Sequence, residues 1–190
     1  MPPPPPRPAV TRALLASGLA ILAACRSEPP PPPGPAVAVF LDPRGLRVVD
    51  STAATSDLVA FGAGRGGVAE ALGAAGVTLA DAGRNDACGA GPLAFASAGG
   101  ALTLSFADSA FVGWSVDGTS ADGPSATATG LGVGSARAEL EGAYRADVSE
   151  TSLGSEFYTG APGVPGELLS GPDPDATVTA LWAGTVCDPR

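Results

Sequence analysis

Ala101-Leu102-Thr103-Leu104-Ser105-Phe106 alternates apolar and polar side chains along its length. Successive side chains of an extended chain point to opposite faces, so this is the pattern of a half-buried strand. Gly99-Gly100 precedes it and Asp108-Ser109 follows it, both turn-forming pairs. On their far sides, Leu93–Ala96 and Phe111–Val116 are strand-like too. The stretch therefore predicts consecutive antiparallel strands.

Upstream lies a glycine-rich turn, Gly62-Ala63-Gly64-Arg65-Gly66-Gly67, and then Val68, Leu72 and Ala75, spaced as one helix face. The same order recurs. Gly62 to Leu72 aligns without gaps with Gly130 to Leu140 at an offset of 68, and Trp114 and Trp182 are also 68 apart. In the second copy Ser135 is placed to cap a helix. Ala136, Leu140, Ala143 and Tyr144 form its apolar face. Strand-like segments follow at Glu156–Tyr158 and Thr177–Trp182, split by a Gly/Pro-rich loop, 160–174. Ala36–Phe40, Leu46–Val49 and Leu58–Phe61 add short strands before the first helix. The expected class is α+β: two tandem repeats, each a short helix followed by antiparallel strands. Residues 36–120 hold the first repeat with its preceding strands, and 121–190 the second.

The N-terminus reads as an export signal. Arg7 and Arg12 are positive, and Ala13–Ala24 is apolar. That run is shorter than the roughly 20 residues a membrane-spanning helix needs. It ends in Leu22-Ala23-Ala24-Cys25, which resembles the lipobox of bacterial lipoproteins. The resemblance implies removal of residues 1–24 and lipidation of Cys25. Several acyl chains would make the anchor permanent. Arg26 stands where an aspartate marks inner-membrane retention in many Gram-negative lipoproteins, so the outer membrane is favoured if the organism has one. Glu28 to Pro35 is nearly all proline. It reads as a polyproline II tether holding the fold roughly 20 Å from the membrane, with an SH3-type ligand as the alternative. Residues 25–35 are thus the lipidated cysteine and its tether.

The chain carries ten arginines, 19 acidic residues, no lysine and no histidine. Without Arg7 and Arg12, eight arginines remain against 19 acids, a net charge of −11. Such a surface repels nucleic-acid phosphates. It reads as a solubility device, with attraction to a basic partner or divalent cations as the sharper alternative. With Cys25 lipidated, Cys88 and Cys187 remain, and two thiols in an exported protein are expected to pair. The bridge would close a long loop, worth up to about 4.7 kcal/mol in the chain-entropy model. Free buried thiols are the alternative; a zinc site lacks ligands.

Gly62 to Gly67 satisfies GxGxxG, with Asp81 and Asp86 near the distance of a ribose-binding acid. The second copy breaks the pattern at Ser135, and too few βα steps are present for a doubly wound sheet. The motif therefore reads as a tight turn entering a helix, with no cofactor. Without histidine, Ser-His-Asp and Cys-His arrangements are excluded. The turns Asp117-Gly118 to Asp122-Gly123 and Asp173-Pro174-Asp175 read as solvated, with weak calcium binding the alternative. Trp114 and Trp182 are either core residues or anchors for a partner.

Helix followed by antiparallel strands, twice, resembles at the level of topology the two-repeat secreted inhibitors of the β-lactamase-inhibitory-protein type, and small lipoproteins of outer-membrane assembly. Cys88-Gly89-Ala90-Gly91-Pro92-Leu93, Phe111-Val112-Gly113-Trp114-Ser115, Gly130 to Ser135 and Leu181 to Cys187 resemble a family of uncharacterised bacterial envelope proteins. Some members of that family carry the name aspartate-semialdehyde dehydrogenase. That activity needs a cysteine nucleophile and a histidine acid/base, and this chain has no histidine. The expected function is a lipid-anchored, non-enzymatic module binding an envelope protein or component. The alternatives are a secreted enzyme inhibitor and a carboxylate-dependent hydrolase.

Overall fold

The computed structural model describes residues 36–118, 123–151, 154–159, 165–168 and 175–187. The expected signal peptide, Cys25 and the tether lie outside them, as does the boundary expected at residues 120 and 121. The described residues belong to one compact unit, Gly34–Arg190.

Among the described residues, eleven strands and two helices form a mostly-sheet α+β fold. β1 (Val37–Asp42), β2 (Gly45–Asp50) and β3 (Thr55–Ala60) make a three-stranded antiparallel sheet. α1 (Arg65–Gly73) then leads to β4 (Ala80–Asn85), β5 (Leu93–Ser97), β6 (Leu102–Ala107) and β7 (Ala110–Asp117). α2 (Arg137–Ala143) leads to β8 (Asp147–Thr151), β9 (Gly154–Tyr158), β10 (Pro165–Leu168) and β11 (Val178–Gly184). β4 to β11 form one antiparallel sheet in the order β4-β5-β6-β7-β11-β10-β9-β8. The last strand after each helix lies at the centre, and β4 and β8 are the edges.

The alternation in β6 works as its sequence predicts. Leu102, Leu104 and Phe106 are buried on the inner face. Asp108 and Ser109 both take positive φ (47° and 66°), which makes the two-residue turn into β7. Trp114 lies beside Leu104 in the ladder and is fully buried. Val68 and Leu72 of α1, Leu140 of α2 and Leu41 of β1 join it in one continuous core. Burying such side chains contributes roughly 1.5–3 kcal/mol each. Trp114 Nε1 also donates to the Asp42 carbonyl at 2.9 Å, which latches the small sheet to the large one.

Three elements went unread in the sequence: β4, β8 and β10. β4 is exposed at every residue and β8 at all but one. Edge strands exposed on both faces carry no alternation, and only their neighbours' backbone groups define them. β10 lies within the loop expected at 160–174. Ser135 does not cap α2. Its hydroxyl accepts from Gly132 N (3.2 Å), and the helix begins one residue later, with the Glu139 carboxylate accepting from Ala136 N (2.8 Å).

The two helices enter the sheet through matching backbone bonds. Gly62 N donates to Phe111 O (2.7 Å), Phe111 N to Ala63 O (2.8 Å) and Arg65 N to Ser109 O (2.9 Å). At α2, Gly134 N donates to Val178 O (2.7 Å), Val178 N to Ser135 O (2.9 Å) and Arg137 N to Ala176 O (2.8 Å). β6–β7 and β10–β11 also each shift register once, after Ser105 and Glu167. These correspondences are 72 apart before the helices and 67 apart in the strands, not a uniform 68. Trp114 therefore corresponds to Leu181. Trp114 pairs with Ala183, and Trp182 with Ser115, so the two tryptophans point to opposite faces of the sheet.

Candidate interaction surface

The outer face of the eight-stranded sheet, opposite Trp114, carries small hydroxyl side chains and a few aromatics. Register places Phe95, Ser97, Thr103, Ser115, Trp182 and Tyr158 on it. Phe95 and Trp182 are half-buried. Tyr158, at 44% exposure, is the exposed large hydrophobic among the described residues. Glu156 on the same face and Asp147, paired with Tyr158, make the β8–β9 end acidic.

At the other end the chain itself covers this face. After β11, Thr185 N donates to Val112 O at 2.7 Å. Cys187 Sγ then accepts from the Asn85 side-chain amide at 3.3 Å. Thr185 is thus at β7 and Cys187 at β4, so the tail crosses β6 and β5. Three ladder spacings are about 14 Å, and three extended residues span about 10 Å. The Asn85 side chain closes the gap.

The residues beneath record that crossing. A Cβ on Gly113 would lie 2.2 Å from Thr185 O, and one on Gly184 would lie 2.3 Å from Val112 O. Only glycine fits at either place. Ser105, paired with Gly113, is 1% exposed although it points outward. Leu93 and Cys88 are buried but stand outside the main core cluster.

The sequence-predicted site residues distribute as follows. Cys88 follows β4 by three residues, and Cys187 is bound to Asn85 at the end of that strand. Cys187 thus lies against the strand end three residues before Cys88, and no disulfide joins the two cysteines in the structure. Trp114 is core and Trp182 lies on the outer face. The glycine motif docks the β6–β7 hairpin: its Gly62 and Arg65 amides, which would face a phosphate in a dinucleotide site, bond main-chain carbonyls. Asp81 pairs with Arg65 at 3.8 Å, and Asp86 with Arg84. Asp117, Gly118 and Asp175 are exposed; Asp122, Asp173 and Pro174 lie outside the described residues. Among the described residues no group of three or more His, Cys, Asp or Glu gathers around a metal-sized site.

Two polar clusters have structural explanations. Near α2, Thr127 and Thr129 hydroxyls lie 2.9 Å apart, Thr129 and Tyr144 lie 2.7 Å apart, and Tyr144 donates to Thr127 at 3.1 Å. Each hydroxyl donates once and accepts once around the ring, so the cluster satisfies itself. At the β1–β2 turn, Asp42 accepts from Arg44 N (3.0 Å) and from Arg47 (2.9 Å). Burial pushes its pKa up, but the hydrogen bonds from Arg44 and Arg47 and the charge of Arg44 outweigh this, and the net direction is down. A carboxylate held ionised in this way is the opposite of a general acid.

Asn85 and Gly113 were the positions that sequence reading missed. Gly113 carried a signal: an isolated glycine inside an apolar strand marks a bulge or a close backbone approach, and here it marks both. The chain matches no protein-family model, no curated protein and no solved structure. Its function is therefore argued from its own residues.

Proposed function

We propose that this protein is a lipid-anchored, non-enzymatic binding module of the bacterial envelope, built by tandem duplication. Cys25 is the anchor and residues 25–35 the tether, with the outer membrane the favoured location. The outer sheet face between Trp182 and Tyr158 engages an envelope protein. Nucleic acid is disfavoured by charge, and no cofactor is required.

The observation that carries the anchor is Leu22-Ala23-Ala24-Cys25 at the end of a short apolar run. The duplication is supported by the matched bonds at the two helix starts and the matched register shifts of the central hairpins. The binding face is supported by its chemistry. Aromatic bodies with polar tips, small hydroxyls and an acidic end suit a protein partner with basic and aromatic groups.

The test has two readings. Intact mass of protein from native membranes should equal residues 25–190 plus acyl groups. A photo-crosslinker placed at Tyr158 should give one discrete adduct in intact envelopes, and Trp182→Ala should reduce it several-fold. An unprocessed chain, or adducts insensitive to Trp182→Ala, would overturn the proposal. The paired layout of one helix and four strands also favours a secreted inhibitor of the two-repeat type; processing without acylation would support that reading instead.

A further inference from the structure

We propose that Cys88 and Cys187 form a disulfide that fastens the tail Thr185–Cys187 across the outer sheet face. The fastening goes beyond the envelope reading and does not depend on the lipid anchor.

The tail is already held beside the strand end that leads to Cys88. It is held at β7 by the Thr185–Val112 bond (2.7 Å) and at β4 by the Asn85–Cys187 contact (3.3 Å). The Asn85 side-chain oxygen also accepts from Ala87 N (2.9 Å), which fixes the turn leading to Cys88. One amide side chain thus orders both the approach of Cys187 and the segment that carries Cys88. Cys88 and Leu93 are both buried outside the main core cluster, and Leu93 pairs with Asn85. A bridge here ties the end of the chain to residues nearly 100 positions earlier. It would hold the cover over Ser105 and Leu93, and its reduction would release that cover.

The chemistry needs a disulfide oxidant, such as oxidised glutathione or a dithiol oxidase. Cys187 is the more exposed thiol and Cys88 is buried. Cys187 as thiolate attacks the oxidant, forming a mixed disulfide and releasing one reduced thiol. Cys88 as thiolate then attacks the Cys187 sulfur and expels the second. The two protein thiols lose two protons and two electrons, and the oxidant's S–S bond receives both. Closure requires the Cα atoms to settle within about 4.4–6.8 Å of each other.

The full chain carrying Cys25→Ser is reduced, then incubated with oxidised glutathione in native buffer and, in parallel, in concentrated urea. Alkylation and trypsin follow. The expected product is a linked pair of peptides, 85–137 and 146–190, in a monomeric protein. It should form at least about tenfold faster in native buffer, because the fold supplies the proximity that urea removes. Asn85→Ala, a change at an exposed side chain, should slow native formation several-fold and leave the urea rate alone. Equal rates in the two solvents, intermolecular dimers, or stable glutathione adducts at both cysteines would each overturn the proposal. These outcomes leave the anchor and binding readings untouched, since neither membrane nor partner is present.

Discussion

The two halves of the large sheet share an order of one helix and four antiparallel strands, and they differ in side chains. In β7 the buried inner positions are Phe111, Trp114 and Val116; their counterparts in β11 are Val178, Leu181 and Ala183. Every position is smaller in the second half. The first half alone carries the three-stranded sheet, latched by Trp114 to Asp42, and leucine at 181 offers no donor for such a latch. On the outer face the difference reverses. Gly113 in β7 lies under the tail, whereas its counterpart, Ala180, tolerates a side chain. Both halves thus feed one core, but the first carries the bulkier side chains of the central pair and the covering tail.

The largest expected effect tests the core side of that comparison. Trp114→Ala should cost about 3–5 kcal/mol in urea unfolding, and Leu181→Ala about 2–3 kcal/mol. Part of the excess is the latch, because the Asp42 carbonyl loses its donor. A larger cost at Leu181 would reverse the assignment of the larger core contribution to the first half.

The next effect concerns the cover. Gly113→Ala should destabilise by about 1–3 kcal/mol, since the Thr185 backbone must move. Ala180→Gly, at the matching place, should cost only about 0.5–1 kcal/mol. Hydrogen exchange at Thr185 and Val186 should speed up in the first variant alone. If both variants behave alike, the tail does not press on β7.

The small sheet adds a pH term. Asp42 has a folded pKa below its ordinary value of 3.8. A depressed carboxylate contributes stability above its unfolded pKa and loses it as pH falls through the folded one. The contribution should therefore be complete at neutral pH and decline below about pH 4. Its size should not exceed about 1 kcal/mol, because Arg44 is well exposed. Asp42→Asn should flatten this acid limb; an unchanged pH profile would remove the arginine cluster from the stability of the β1–β2 turn.

The smallest effect lies in the turn into β7. Ser109 is held at φ 66°, a conformation its counterpart Ala176 does not adopt. Ser109→Gly should stabilise by about 0.5–1 kcal/mol, seen as a higher urea midpoint. A loss of stability would mean that the hydroxyl has a role in that turn.

Much of the fold was legible. The alternation of β6, its flanking turns and the helix face of Val68 and Leu72 follow local periodicity, which a burial face imposes directly on sequence. The glycine motif was legible as a turn, and the structure adds its purpose: Gly62 and Arg65 spend their amides on the β6–β7 hairpin. β4 and β8 were not legible, because strands exposed on both faces leave no periodic trace. The offset of 68 was not matched by the backbone bonds at the two helix starts, which lie 72 apart, or by those of the central strands, which lie 67 apart.

The sequence by itself determined the extended segments that bury one face, where the glycine turns lie, that no histidine chemistry is present, and that the surface is strongly acidic. These follow from residue type and short-range spacing alone. Only the tertiary structure decided that Trp114 and Trp182 face opposite ways, that Gly113 has no room for a side chain, and that Cys187 reaches Asn85, three residues before Cys88. Each depends on register and chain crossing between residues far apart in sequence. Strand pairing turns a one-residue change of register into a change of face, and spacing along the chain cannot report it.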